Sequence, residues 1–314
     1  MINKSYQKRC KKCKSPEIKK DWFKRWKQRY ECKQCGHIFQ NKTRKQNIKI
    51  NQLYQKYCFW KQTYKELWEE YKISVKTVQK KLDTYVLQIP QVVPQEVTLL
   101  IDTTYFWEFW VMVFKDANRN KTIHIKIVDN ENNADYKHWV EELQKQWWII
   151  QSIVCDGKKG LLKSFSAQWI PTQMCQFHQV SIVRKYITKK PILEANKALK
   201  SLWELLKQTD KETFEYELEK YYGIYRDFLN ETRINPQWKL EYIHKRTRSA
   251  YFSLKNNLKY LFTWYDYLWH IDIPNTTNWL EWIFSHIKTK VSLHRWLKKE
   301  RKIKLILSLL YGKI

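Results

Sequence analysis

No run of 18 apolar residues occurs in the sequence, and its polar N-terminus has no hydrophobic stretch of the signal-peptide kind. A membrane-spanning helix and a secretory leader are therefore not expected, and a cytoplasmic protein is. Acids are scarce: 31 Asp+Glu face 59 Lys+Arg, a formal net charge of +28. That imbalance points to a polyanionic partner, with nucleic acid first and an acidic membrane surface second. Internal repeats and low-complexity tracts are lacking. Glycine is scarce as well, at 5 residues against 17 tryptophans. Their sum, 22 of 314, is close to the ~7% that glycine alone averages. Two readings stay open: many tryptophans stand at UGA codons that the host reads as glycine, or they form a tryptophan-rich DNA-binding surface.

What is present begins with metal-ligand spacing. Cys10-x2-Cys13 is followed after 18 residues by Cys32-x2-Cys35. Four thiolates in two knuckles suit tetrahedral Zn2+ in a closed, structural site, and two CxxC pairs fit a reducing compartment better than disulfides. A module of about 45 residues has little core, so the metal would supply most of its folding free energy. Gly36 sits where the second knuckle needs a tight turn, and Lys and Arg interleave with Trp22, Phe23, Trp26 and Tyr30. Residues 1–45 are read as a zinc ribbon.

Residues 46–90 carry i,i+4 apolar pairs (Leu53/Tyr57, Leu67/Tyr71, Val78/Leu82) that predict three short helices, with Ser74 capping the last. Lys76, Thr77, Gln79 and Lys80 lie on its polar face, as in a helix-turn-helix that reads the major groove. Pro90 and Pro94 then mark a linker.

From residue 95 onward the pattern is α/β. VTLLID ends on Asp102, and strand-like runs follow at 107–114 and 121–129. A helix is predicted over 135–146 and a fourth strand ends at Asp156, 54 residues after Asp102. A further helix over 158–168 and a short strand lead to Cys175-Gln-Phe-His178. Residues 181–270 read as an all-helical insertion, after which Glu281 sits on a helix carrying Lys288, Lys290, His294 and Arg295. An acid at the end of a buried strand is costly unless paired, hydrogen-bonded or metal-bound. Asp102, Asp156 and Glu281 are grouped as one site, and their oxygen-only donors suit Mg2+ or Mn2+. Two such ions support in-line attack at phosphorus.

The CxxC/CxxC ribbon, IDTTYF, CDGKKGL, CQFH and TTNWLEWIFSHIK, in this order, resemble bacterial insertion-sequence transposases of the DDE type in the Mutator-like group. The resemblance implies an RNase H-like catalytic domain over 95–314, with Asp102, Asp156 and Glu281 as its triad. It implies cleavage of the element's own ends and transfer of the 3′-hydroxyls to target DNA. Double-stranded DNA is then the partner, as terminal inverted repeats and target, in a nucleoid-associated protein that acts as a dimer or higher oligomer. Lys288, His294 and Arg295 join the helix-turn-helix residues as DNA contacts. Cys175 and His178 match that group's C-x2-H motif near the active site and are read as structural or DNA-contacting; a second zinc site lacks a third ligand. Similar transposases carry small residues or glycine near Trp26, Trp148, Trp279, Trp282 and Trp296. Two other readings stay open: a catalytically inactive DNA-binding regulator derived from a transposase, and a nuclease that cuts without joining.

Overall fold

In the computed structural model, residues 9–24, 27–40, 48–158, 160–294 and 297–312 are described. The chain divides into two compact units, Met1–Gln52 and Leu53–Ile314.

The first unit holds strands β1 (Ile18–Lys24), β2 (Lys27–Cys32) and β3 (Ile38–Gln40), paired antiparallel in the order β1-β2-β3. Among the described residues its core cluster is small: Cys10, Cys32 and Phe39, with Ile18 and Tyr30 packed against them.

Helix α1 (Ile50–Cys58), which lies in the second unit from Leu53 onward, is followed there by α2 (Tyr64–Tyr71) and α3 (Val75–Asp83). Thr63 and Glu66 form a reciprocal capping box at the start of α2, and Lys72 ends that helix in the left-handed region. Ser74 then caps α3 through the Thr77 N–H. A three-residue turn thus joins two capped helices.

The central sheet follows: β4 (Glu96–Tyr105), β5 (Trp110–Asp116), β6 (Thr122–Val128), α4 (Asn133–Lys145), β7 (Ile149–Cys155), α5 (Leu161–Ser166) and β8 (Thr172–Met174). The strand order is β6-β5-β4-β7-β8. β4, β5 and β6 pair antiparallel, whereas β7 and β8 join parallel to β4, so the sheet is mixed. β4 is buried on both faces, as expected of a strand at the centre of a covered sheet. Period-two alternation sends Val97, Leu99 and Ile101 into one core with Tyr136, Val140 and Leu143 of α4. Asp102 therefore belongs to the opposite face.

The helices α6 (Gln176–Ile187), α7 (Glu194–Leu205) and α8 (Lys211–Asn230) come next, then β9 (Thr232–Ile234), β10 (Leu240–Tyr242), α9 (Lys245–Leu261) and α10 (Thr263–Asp266). The insertion is thus not all-helical. β9 and β10 form a two-stranded hairpin whose exposed strands, three residues each, are too short to register as a period-two pattern. The chain ends on α11 (Asn278–Leu293) and α12 (Lys299–Tyr311).

The three N-terminal helices do not stand apart from this C-terminal pair. Tyr54 bonds Ser308 at 2.8 Å, Arg301 holds Asp83 bidentately at 2.8 and 2.7 Å, and Lys304 bonds the Leu82 carbonyl at 3.0 Å. The basic segment 298–304 thus begins the helix that braces α1 and α3. No described helix is long and apolar enough to cross a membrane.

Candidate functional site

Asp102 and Asp156 are brought together by strand pairing. Leu100 of β4 is in register with Val154 of the parallel β7, and Asp102 and Asp156 each lie two residues further on. Glu281 arrives on the first turn of α11, where a carboxylate is favoured by the helix dipole. That turn is tied to the start of α6: Gln176 N–H bonds the Asn275 carbonyl at 2.9 Å, and Cys175 Sγ accepts from the Thr277 N–H and hydroxyl at 3.2 and 3.3 Å. The CQFH segment therefore begins one helix, and its cysteine anchors the other. One turn on, His178 Nε2 lies 2.9 Å from the Glu281 carboxylate.

Ligand atoms of Asp102, His178 and Glu281 all lie within 4.8 Å of one another. Asp156 stands outside that trio, but its charge reaches it. Burial, together with the charges of Asp156 and Glu281, pushes the Asp102 carboxyl up to about 7, against the opposing pull of His178 and the Thr103 N–H. Burial raises Asp156 too, although the Lys158 N–H at 3.1 Å stabilises its anion. Burial alone would lower His178; Cys175, Glu281 and Asp102 outweigh it and hold the imidazole up to about 11. Burial acts to raise Cys175, and His178 and Thr277 bring it below its ordinary value. His178 is thus a built-in cation amid crowded acids.

Asp102, Thr103, Thr104, His178, Glu281, Phe284, Ser285, Lys288 and Thr289 line an open cleft of about 490 Å³. The donor set fits a hard divalent cation: carboxylate oxygens, repulsion that a cation would relieve, and space beside them. Neighbours that sequence reasoning missed flank Asp156. Glu131 bonds the Tyr136 hydroxyl at 2.6 Å and pairs with Lys158 at 3.2 Å, while Tyr136 reaches Thr103 at 2.7 Å. Glu131 follows β6 in a loop, with nothing in its local pattern to mark it.

The four ribbon cysteines also converge. Their sulfurs lie within 4.8 Å of one another, with Cys10–Cys35 at 3.6 Å and Cys13–Cys32 at 3.4 Å. A tetrahedron with Zn–S bonds of about 2.3 Å has edges of about 3.8 Å, so the spacing suits zinc. Against burial, backbone N–H groups of Cys13 and Lys12 bring the Cys10 thiol down to about 6. The Ser15 N–H favours ionisation of Cys13, yet neighbouring thiols and burial push it up to about 12. Four thiolates this close cannot all ionise without a cation.

Of the DNA-contact residues expected from sequence, Lys76 and Lys80 are exposed on α3, and Thr77 and Gln79 are half-buried. The Thr77 hydroxyl is engaged by Ser74 at 2.8 Å. Lys288 lines the cleft. His294 is a correction: it is buried, with its ring 4.3 Å from that of Tyr57, and burial lowers its basicity. It packs the end of α11 against α1, and only 7% of its surface stays exposed. Arg295 lies outside the described residues. Cys58 and Cys155 are buried thiols.

Compared with known proteins, the chain matches no family model and no curated protein.

Proposed function

We propose that the chain is an insertion-sequence transposase of the DDE type, with an RNase H-like catalytic domain. One observation carries the reading. Asp102 lies within β4, Asp156 just past the end of the adjacent parallel β7, and a third acid, Glu281, 2.9 Å from His178, faces the first from a distant helix. Acids held this close on a chain of net charge +28 suit phosphodiester chemistry better than recognition alone.

In this reading Asp102, Asp156 and Glu281 hold Mg2+ or Mn2+. When bound, such ions activate a water or 3′-hydroxyl and stabilise the leaving oxygen. Lys288, on the cleft wall, draws in the phosphate backbone. Lys76 and Lys80 project from α3 toward the terminal repeats, and Cys10, Cys13, Cys32 and Cys35 hold a structural Zn2+. His178 supplies positive charge between Cys175 and the acids, a positioning role in which it orients Glu281.

The test is cleavage of duplex DNA carrying the element's ends, with and without Mg2+. Metal-dependent nicking at the ends, lost in Asp156→Ala with end binding retained, supports the reading. Tight end binding with no cleavage, both by the unmodified chain and by one with glycine in place of Trp107, Trp147, Trp169 and Trp238, overturns it in favour of a regulator.

A further inference from the structure

Nine non-glycine residues among those described have φ in the left-handed region, and four of them are tryptophans: Trp107 (61°), Trp147 (71°), Trp169 (61°) and Trp238 (57°). This conformation presses Cβ against the backbone and is the natural territory of glycine, with Asn and Asp next. A bulky aromatic residue is a poor occupant, and a side chain that packed well could offset the strain. These do not pack: all four rings are largely exposed, from 57% for Trp107 to 95% for Trp169.

Each of the four sits where a specific turn calls for glycine. Trp147 follows the C-cap of α4; its N–H bonds the Gln144 carbonyl at 3.0 Å and the next N–H bonds Leu143 at 3.2 Å. That pair of bonds defines a Schellman motif, whose left-handed position is usually glycine. Trp238 closes the β9–β10 hairpin, bonding the Asn235 carbonyl at 2.9 Å as the left-handed residue after a Pro236-Gln237 turn. Trp107 is the first of the two residues turning between Phe106 and Phe109, which bond at 2.9 Å, and tight hairpin loops place φ > 0 there. Trp169 ends the turn after α5, its N–H on Ser166 at 3.1 Å. In addition, Trp22 is the extra residue of a β-bulge in β1 and is 82% exposed.

The remaining tryptophans include a contrasting set. Trp148 and Trp203 are each 5% exposed in the main core, and Trp139 stacks on His124 at 4.2 Å. These rings have partners. Trp148, one of the positions first suspected, is a core residue; its neighbour Trp147 has the glycine geometry. Trp26 and Trp296 lie outside the described residues.

We infer that the fold is built for glycine at positions 107, 147, 169 and 238, and that these four are UGA codons which the native host decodes as glycine. Two sets of tryptophans are then distinguished by geometry: the four strained exposed turns, encoded by UGA, and the packed core rings, encoded by UGG.

The codons test this independently of any catalytic role. UGA at all four turn positions, with UGG at Trp148 and Trp203, is the expected partition; UGG at the four turns overturns it. A second arm is thermal unfolding of chains made with standard codons. Trp107→Gly, Trp147→Gly, Trp169→Gly and Trp238→Gly are each expected to melt roughly 2 °C higher or more, and Trp148→Gly lower. Four single glycine variants that all melt below the unmodified chain contradict the inference. Peptide masses from protein isolated from the native cells then read glycine or tryptophan directly at each turn.

Discussion

His178 Nε2 stands 2.9 Å from a Glu281 carboxylate oxygen although 103 residues separate the two in sequence. The pair joins the first turns of α6 and α11 and sets a positive charge beside Asp102. Because the folded pKa of His178 is raised, from 6.5 to about 11, its contribution to stability is fully present below pH 6.5 and is lost as pH rises toward 11. His178→Gln is expected to destabilise the metal-free protein by about 2 kcal/mol at pH 6, the order for removing one partner of a charged, part-buried hydrogen bond. The deficit should shrink as pH climbs through 9 and beyond. Urea unfolding at several pH values checks it; a deficit independent of pH would show that the imidazole acts by packing.

In the proposed function, Asp102 would make cation binding proton-linked. Its carboxyl, raised from 3.8 to about 7, carries an extra proton in the folded state across that window, so its contribution to stability of the cation-free protein falls as pH rises from about 4 to 7. A divalent cation must displace this proton. Mn2+ affinity is therefore expected to rise several-fold between pH 5.5 and 7.5, with proton release seen by calorimetry in two buffers. Asp102→Asn should remove both. Equal affinity at both pH values in the unmodified chain would contradict this.

Four sulfurs within 4.8 Å could hold one metal ion, and the proposed function makes it one zinc per chain. Purified protein is expected to release one equivalent on thiol titration, and Cys13→Ser or Cys32→Ser should retain almost none. Loss of β-structure in the first unit should accompany metal removal, since its apolar core is so small. Retention of full zinc by Cys32→Ser would place the metal elsewhere.

Lys115 is buried on β5, and burial pulls its ammonium down to about 8. Between pH 8 and 10.5 the unfolded chain binds more protons at this site than the folded one, so the lysine's contribution to stability rises with pH in that window. Lys115→Met is expected to melt a few degrees higher at pH 7, with the gain fading by pH 10. A lower melting temperature for the methionine variant at pH 7 would show that the ammonium is held by favourable contacts.

Much of this architecture was legible because its signals are local. The knuckle spacing of Cys10, Cys13, Cys32 and Cys35, the run ending on Asp102 and the turn after Asp156 each lie within a few residues of chain. What was not legible depends on tertiary packing. His294 resembles a surface residue on a basic helix, yet Tyr57 from a remote helix covers it. The His178–Glu281 pair and the approach of Glu131 to Asp156 arise only once α6, α11 and β6 surround the strand ends. The hairpin of β9 and β10 escaped because three exposed residues carry no period. Tryptophan at turn positions also obscured them: turn reading relies on glycine, and 107, 147, 169 and 238 show none.

The central claim is strand transfer, and the most direct measurement supplies pre-cut element ends bearing a 3′-hydroxyl to the purified protein with Mg2+ and a target plasmid. Both the unmodified chain and the variant with glycine at the four turns would be assayed. Joined products are expected, and they should vanish with 3′-dideoxy ends, with Asp102→Asn and with Glu281→Gln. Cleavage of the same ends without joining by either form would identify a nuclease, and no reaction from either form, despite bound ends and bound Mn2+, would contradict the assignment of a transposase.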